Sequence, residues 1–255
     1  MSFDTDRVAG YADILATVGD TPYTRMALSP QSTAYVTDRT VAWLTRTPWA
    51  SLVSLNANSE AAAELFMELR RSGRIPDGSW LRVPLPARRF HGLPGVRLRE
   101  EWQFRWTTSE PPVHTREAEV ALISTAHYDA LEELLRVGNP DTVVRARARG
   151  IHGWYGIWEG GQLVACGADR SFGGVGYLAA ITVRPGRRRE GLGTALTAAM
   201  TRRLIAGTGA VGLGVNTGNH GAIDLYKRLG FHEAVEVATF EVSDGGGHGH
   251  SWSAG

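Results

Sequence analysis

The chain has 255 residues, 43% of them hydrophobic and 21% charged, and a formal net charge of +1. That balance is ordinary for a globular protein and gives no bulk attraction to nucleic acid or to an anionic membrane, so neither partner is expected. No apolar run approaches the ~20 residues that a spanning helix needs. The N-terminus, MSFDTDRVAG, lacks the basic and apolar regions of a secretory signal, and the one cysteine, Cys166, excludes an internal disulfide, so the cytoplasm is the expected compartment. Lys227 is the only lysine. An arginine bias this general reads as codon usage, so only clustered arginines carry weight.

Residues 1–112 read as one region. Residues 3–20 are mixed and partly helical. Leu52, Val53 and Leu55 mark a short strand. Ser59 is placed to cap a helix running to Leu69, with Ala62, Leu65, Phe66 and Leu69 on one face and Gly73 as its stop. A second strand follows at Trp80–Val83, giving a β-α-β unit with a parallel pairing. Pro84 to Gly95 is turn-rich. Arg97–Trp106 reads as a strand with Trp102, Phe104 and Trp106 on one face, and Glu110-Pro111-Pro112 as a boundary.

From residue 115 to 242 the pattern is fuller. Strand Val120–Ile123 leads to a helix marked by Tyr128, Leu131, Leu134 and Leu135 and stopped by Gly138-Asn139-Pro140. Thr142–Arg149 reads as a second, shorter helix. Strands Trp154–Trp158 and Leu163–Ala168 flank a Gly160-Gly161 turn, and a strand ends at Val183. Helix 192–206, strand Val211–Val215, a helix from Asn219 to Leu229 and strand Glu233–Val242 complete the unit. Residues 243–255, rich in Gly, Ser and His, read as a disordered tail. His248 and His250 lack a third ligand there, so no metal is expected.

The stretch Tyr177–Phe231 carries the chemistry. After the strand ending at Val183 comes a loop with Arg187, Arg188, Arg189, Gly191 and Gly193, and then a helix. Glycines let a backbone approach a ligand closely, and a helix N-terminus presents free N–H groups and the positive end of its dipole. The guest that fits is a phosphate or pyrophosphate. Each part also has a plainer reading: a solvated arginine run, turn glycines, and Tyr226 as a core residue sharing a face with Ala222 and Leu229. Cys166 reads as a small core residue and His220 as a polar helix start. A Rossmann dinucleotide site fails, since Gly-x-Gly-x-x-Gly and a following acidic residue are missing.

The motif Val183-x-Pro185-x-x-Arg188-Arg189-x-Gly191-Leu192-Gly193, with Asn216, Asn219 and Leu225-Tyr226-x-x-Leu229-Gly230-Phe231 downstream, resembles the GCN5-related N-acetyltransferase (GNAT) superfamily over roughly residues 115–242. The resemblance implies an α/β fold with a mixed sheet, preceded by a smaller α/β N-terminal lobe. That lobe resembles the degenerate first half of tandem members such as glycine N-acyltransferase-like and mycothiol synthase-like proteins, or else serves as a dimerisation element. The expected cosubstrate is acetyl-CoA. The resemblance places its pyrophosphate on the loop amides of Arg188, Arg189, Glu190, Gly191, Leu192, Gly193 and Thr194, and its pantetheine along Ile181, Thr182 and Val183, in a wedge opened toward Val211–Val215. Asn216 stands at the far edge of that wedge, and Asn219, the cap of the next helix, is expected to bind the cofactor with it.

The implied reaction is direct attack by an amine on the thioester, with Tyr226 as the acid that protonates the leaving thiolate and no metal required. No carboxylate lies in Leu178–Val183 to act as base; Glu119 and Asp169 are the alternatives considered. The expected acceptor is a small-molecule amine or amino acid, and the expected state is monomer or homodimer. An inactive acyl-CoA sensor and a peptide N-acetyltransferase are the competing readings.

Overall fold

The computed structural model describes residues 8–243; the expected tail lies, from residue 244, outside the described residues. Packing divides the chain into two compact units. Gly19–Ser29 joins Trp102–Glu236 in one, and the described remainder forms the other.

In the N-terminal unit the strands are β1 (Val8–Ala9), β2 (Thr33–Val36), β3 (Val41–Arg46), β4 (Ser51–Leu55), β5 (Trp80–Pro84) and the end of β12 (Glu233–Val242). They lie side by side in that order, antiparallel except for β4 against β5. Helix α1 (Tyr11–Val18) buries Ile14. Helix α3 (Glu60–Arg71) makes the β4–β5 crossover, so the expected β-α-β unit is present. The Ser59 hydroxyl accepts from the Ala62 N–H at 3.2 Å and supplies the cap. Ala62, Leu65, Phe66 and Leu69 are fully buried against Leu81, Val83 and Phe240. Strands β2 and β3 are short and carry no alternation that the sequence reading recognises.

The C-terminal unit holds α2 (Pro22–Ala27), the second half of β6 (Val96–Thr107), β7 (Ala121–Leu122), α4 (Tyr128–Gly138), β8 (Gly153–Glu159), β9 (Gln162–Asp169), β10 (Gly176–Val183), α5 (Leu192–Thr208), β11 (Val211–Asn216) and α6 (His220–Arg228). Its strand order is β6-β11-β10-β9-β8-β7, and only β10 and β11 run parallel. Leu163, Cys166 and Ala168 of β9 pack with Leu131, Leu134 and Leu135 of α4, whereas Val164 packs with Leu196 and Met200 of α5. The sheet is thus covered on both faces, as the mixed α/β reading expects.

Two expectations are corrected. Residues 142–149 form no helix. The Thr142 hydroxyl accepts from the Val144 N–H, the Ala146 N–H goes to the Glu132 carboxylate at 2.7 Å, and the Ala146 carbonyl accepts from Trp154 Nε1 at 3.0 Å. These bonds use the backbone groups that a helix would have paired internally. The cut expected after residue 112 also falls elsewhere. Residues Trp102 to Thr107 pair with β11, which places them in the C-terminal unit, and Val237 to Glu241 pair with β5, which places the last strand in the N-terminal one. Glu110-Pro111-Pro112 is no linker, because Arg202 of α5 donates to the Pro111 carbonyl at 2.8 Å and pairs with Glu110.

Candidate functional site

Strands β10 and β11 pair at Gly176↔Val211, Tyr177↔Gly212 and Leu178↔Leu213 and then part, although β10 continues to Val183 and β11 to Asn216. The separation has a local cause. The register of β10 against β9 shifts between Ala179 and Thr182, and Ala180 sits at φ 50, a conformation unusual for a residue with a Cβ. The Thr182 hydroxyl holds this bulge by donating to the Ala180 carbonyl at 2.9 Å. The β11-facing edge of Ile181, Thr182 and Val183 is therefore left without a strand partner. Exposed edge groups of this kind are what an extended ligand with amides can pair with.

Beyond Val183 a single 3-10 turn, Pro185–Arg187, leads into the arginine-glycine loop. Arg189 at φ 71 and Gly191 at φ 78 both adopt the left-handed conformation on either side of Glu190. Successive turns of this type gather N–H groups into a concave anion nest. Gly191 caps α5 without any side-chain hydrogen bond, so the first amides of the helix, from Leu192, Gly193 and Thr194, are not capped by a side chain. A Cβ on Gly193 would meet only ordinary contacts, 3.6 Å from Leu225 and Val183. Packing therefore does not require that glycine, whereas close approach of a ligand would.

The arginines divide. Arg187 is held by Glu190 at 2.7 Å and Glu159 at 2.5 Å. The Glu190 side chain is correspondingly tied up, its carboxyl kept below the usual range by the Arg187 hydrogen bond, so only its main chain serves the loop. Arg188 donates to the Gly138 carbonyl at 3.0 Å, and Arg189 has no carboxylate partner among the described residues. Both line an open cleft of 570 Å³ together with Asn219, Gly221, Ala222 and Asp224 in the first half of α6 and its cap, and Arg228 at its end. Three arginines and the N-terminus of α6 thus border one cleft. The Asn219 side chain caps α6 by accepting from the Ala222 N–H at 3.2 Å, and Asn216 accepts from the Gly218 N–H at 2.9 Å. Both asparagines spend their Oδ1 atoms on these local bonds, and of the two Asn219 lines the cleft.

Tyr226 lies on the inner face of α6, 7% exposed, among Val215, Leu229 and Phe231. Burial, with a smaller contribution from Tyr177, pushes its phenol up to about 12. Tyr177 extends from the paired part of β10 and stacks on Phe104 of β6 at 6.1 Å. The carboxylates considered as bases are engaged elsewhere. Glu119 is paired with Arg116, and Asp169 accepts from the Ser171 N–H at 2.9 Å and the Ser171 hydroxyl at 2.5 Å. Cys166 is buried opposite Thr182, its thiol pushed up by burial, as a core residue. Among the described residues no group of His, Cys, Asp and Glu side chains is arranged to hold a metal, and no helix is long and apolar enough to cross a membrane.

Residues 154–240 match the family model described as FR47-like protein. Solved structures of similar fold align over most of the chain. A GCN5-related N-acetyltransferase from Kribbella flavida is 18% identical, with a TM-score of 0.55 over 94% of this chain and 97% of that one. One from Sphaerobacter thermophilus is 17% identical, with a TM-score of 0.53 over 89% and 88%. A GCN5-related N-acetyltransferase-like protein from Streptococcus suis is 14% identical, with a TM-score of 0.52 over 90% and 97%. This is the GNAT acetyltransferase fold. At these identities the likeness speaks for the fold, and no curated protein matches the sequence.

Within the GNAT fold, Arg188, Arg189 and Asn219 of the expected site residues line the cleft, while Ile181 to Val183 and Asn216 lie on β10 and β11 beyond the last pair these strands share. Three contributors escaped the sequence reading. Ala180 makes the bulge, yet an alanine gives no sign of a positive φ. His114 comes from the segment before β7, and its Nε2 would stand 3.2 Å from a Cβ on Gly191. Arg105 of β6 reaches the turn after α6, donating to the Phe231 carbonyl at 2.9 Å. The last two are distant in sequence from the motif, and no local pattern announces them.

Proposed function

We propose that the chain is an acetyl-CoA-dependent N-acetyltransferase acting on a small-molecule amine or amino acid, in a reducing cytoplasm. The observation that carries this reading is the parting of β10 and β11 after Leu178 and Leu213, directly beside an uncapped helix start and its left-handed loop. A ligand with an extended diamide arm and a pyrophosphate matches both halves. Ile181, Thr182 and Val183 would hold the arm, and the amides from Arg188 to Thr194, with the Arg188 and Arg189 side chains, would hold the phosphates.

In the proposed reaction the neutral amine attacks the thioester carbon, a C–N bond forms, and the C–S bond breaks. The departing thiolate takes the phenolic proton of Tyr226, and the amine loses its proton through water. Burial keeps the Tyr226 phenol protonated, so it holds a proton to give the thiolate and does not serve as a base, while the raised pKa makes it a weaker acid than a free phenol. In this reading, backbone N–H groups of the β10 edge would favour the oxyanion as it develops.

The experiment is release of free thiol from acetyl-CoA across spermidine, tyramine, free amino acids, an aminoglycoside and a short peptide with a free N-terminus. Amine-dependent release supports the reading. One observation favours a second reading, an inactive acyl-CoA sensor: Tyr226 is 7% exposed and packs as a core residue. That reading predicts acetyl-CoA binding with no thiol release for any amine, and no effect of Tyr226→Phe beyond stability.

A further inference from the structure

Arg105 is a buried guanidinium, 4% exposed, and burial lowers its basicity while Glu236 opposes that shift. Burying a charge is costly unless its donors are satisfied. They are satisfied largely by backbone. Nε donates to the Phe231 carbonyl at 2.9 Å, Nη2 to the His232 carbonyl at 3.0 Å, and Nη1 to Gln103 Oε1 at 2.8 Å. Gln103 in turn donates from Nε2 to Glu236 Oε1 at 2.8 Å. Both carbonyls belong to the turn that leaves the C-terminus of α6, where a cation also complements the helix dipole. From there the hydrogen bonds continue into the helix. The Phe231 N–H donates to the Tyr226 carbonyl at 3.0 Å, and the Phe231 ring stands 6.1 Å from the Tyr226 ring.

We infer that Arg105 is a positioning residue for Tyr226: its fork fixes the Phe231–His232 turn, which fixes the last turn of α6 and the direction of the phenol. The inference rests on the reading of Tyr226 as proton donor. It assigns a role in the C-terminal site to a strand that lies outside the FR47-like match. Methionine in place of Arg105 fills similar volume and strands two carbonyls. Lysine keeps the charge but not the fork, so it should restore only part of the effect.

The test combines amide hydrogen exchange with turnover of the full chain, using Arg105→Met, Arg105→Lys, Tyr226→Phe and the Arg105→Met/Tyr226→Phe double variant. Acetyl-CoA is paired with the amine of highest turnover in the panel above. In Arg105→Met, exchange over residues 225–232 should quicken while residues 192–208 keep wild-type protection. Turnover should fall about tenfold or more at near-constant KM for acetyl-CoA, a loss in line with removing one charged donor. In the Tyr226→Phe background the same change should cost nothing further, because the group it positions is gone. Wild-type protection over 225–232, or losses that multiply in the double variant, would overturn the inference. If Arg105→Met does not fold, Arg105→Lys carries the same comparisons. If no amine is turned over by the wild-type chain, the proposed activity fails, and the exchange pattern alone decides whether Arg105 holds the turn.

Discussion

Leu178 and Leu213 are the last residues that β10 and β11 share as a pair, and two residues beyond Leu178 the backbone of Ala180 turns to φ 50. The bulge and the parting are one feature. A strand that gains an irregular residue against β9 cannot keep step with β11, so the wedge is written into backbone conformation rather than into side chains.

Ala180 gives the first prediction. A β-branched residue tolerates a left-handed φ poorly, so Ala180→Val should cost about 1–3 kcal/mol. Glycine accepts the conformation, so Ala180→Gly should stay near wild type. Urea denaturation of both variants checks this, and a Val variant as stable as wild type would count against the bulge.

Gly191 is constrained twice, by φ 78 and by His114 Nε2 at 3.2 Å from its missing Cβ. Gly191→Ala should lose roughly 1–2 kcal/mol from backbone strain alone and weaken acetyl-CoA binding. Adding His114→Ala should relieve the contact and leave the backbone cost. Calorimetric titration with acetyl-CoA and thermal denaturation separate the two contributions.

Gly212 lies under the ring of Phe104, whose Cζ would be 2.3 Å from an added Cβ. Gly212→Ala should therefore destabilise by about 1–3 kcal/mol through overpacking. Shortening Phe104 to Leu in the same chain should recover part of that loss. A neutral Gly212→Ala would show that the aromatic layer of β6 is looser than the Phe104–Tyr177 stack indicates.

Much of this arrangement is legible in the sequence and some is not, for physical reasons. Strand Glu233–Val242 and the cap at Asn219 follow from alternation and from a side chain whose reach is one turn, both local properties. The loop is legible because glycines and arginines between a strand and a helix have few other uses. Residues 142–149 mislead because helix-compatible residues there give their backbone bonds to Glu132 and Trp154, partners that no local pattern reveals. The fate of Arg187 is hidden for the same reason. Only the fold brings Glu159 to 2.5 Å from it, making a basic residue of the loop part of an ion-pair network.

Tyr226 supplies a pH prediction. Its phenol is raised to about 12 in the folded chain, against roughly 10 when unfolded. The stabilisation is complete below pH ~10 and is lost as pH rises through about 12, because the unfolded state ionises first. Wild type should therefore lose more stability than Tyr226→Phe between pH ~9 and ~11.5, as read by denaturant midpoints. Equal losses would mean that the phenol is not buried as described. Turnover should likewise show no fall below pH ~10 that traces to this group.

The most direct measurement is amine-dependent thiol release from acetyl-CoA by the wild-type chain and by Tyr226→Phe, with the acetylated amine identified by mass. The expected result is release that needs the amine, a product heavier by one acetyl group, and a loss of roughly a hundredfold in Tyr226→Phe at near-constant acetyl-CoA affinity. Tight acetyl-CoA binding without release for any amine, or a Tyr226→Phe chain as active as wild type, would contradict it.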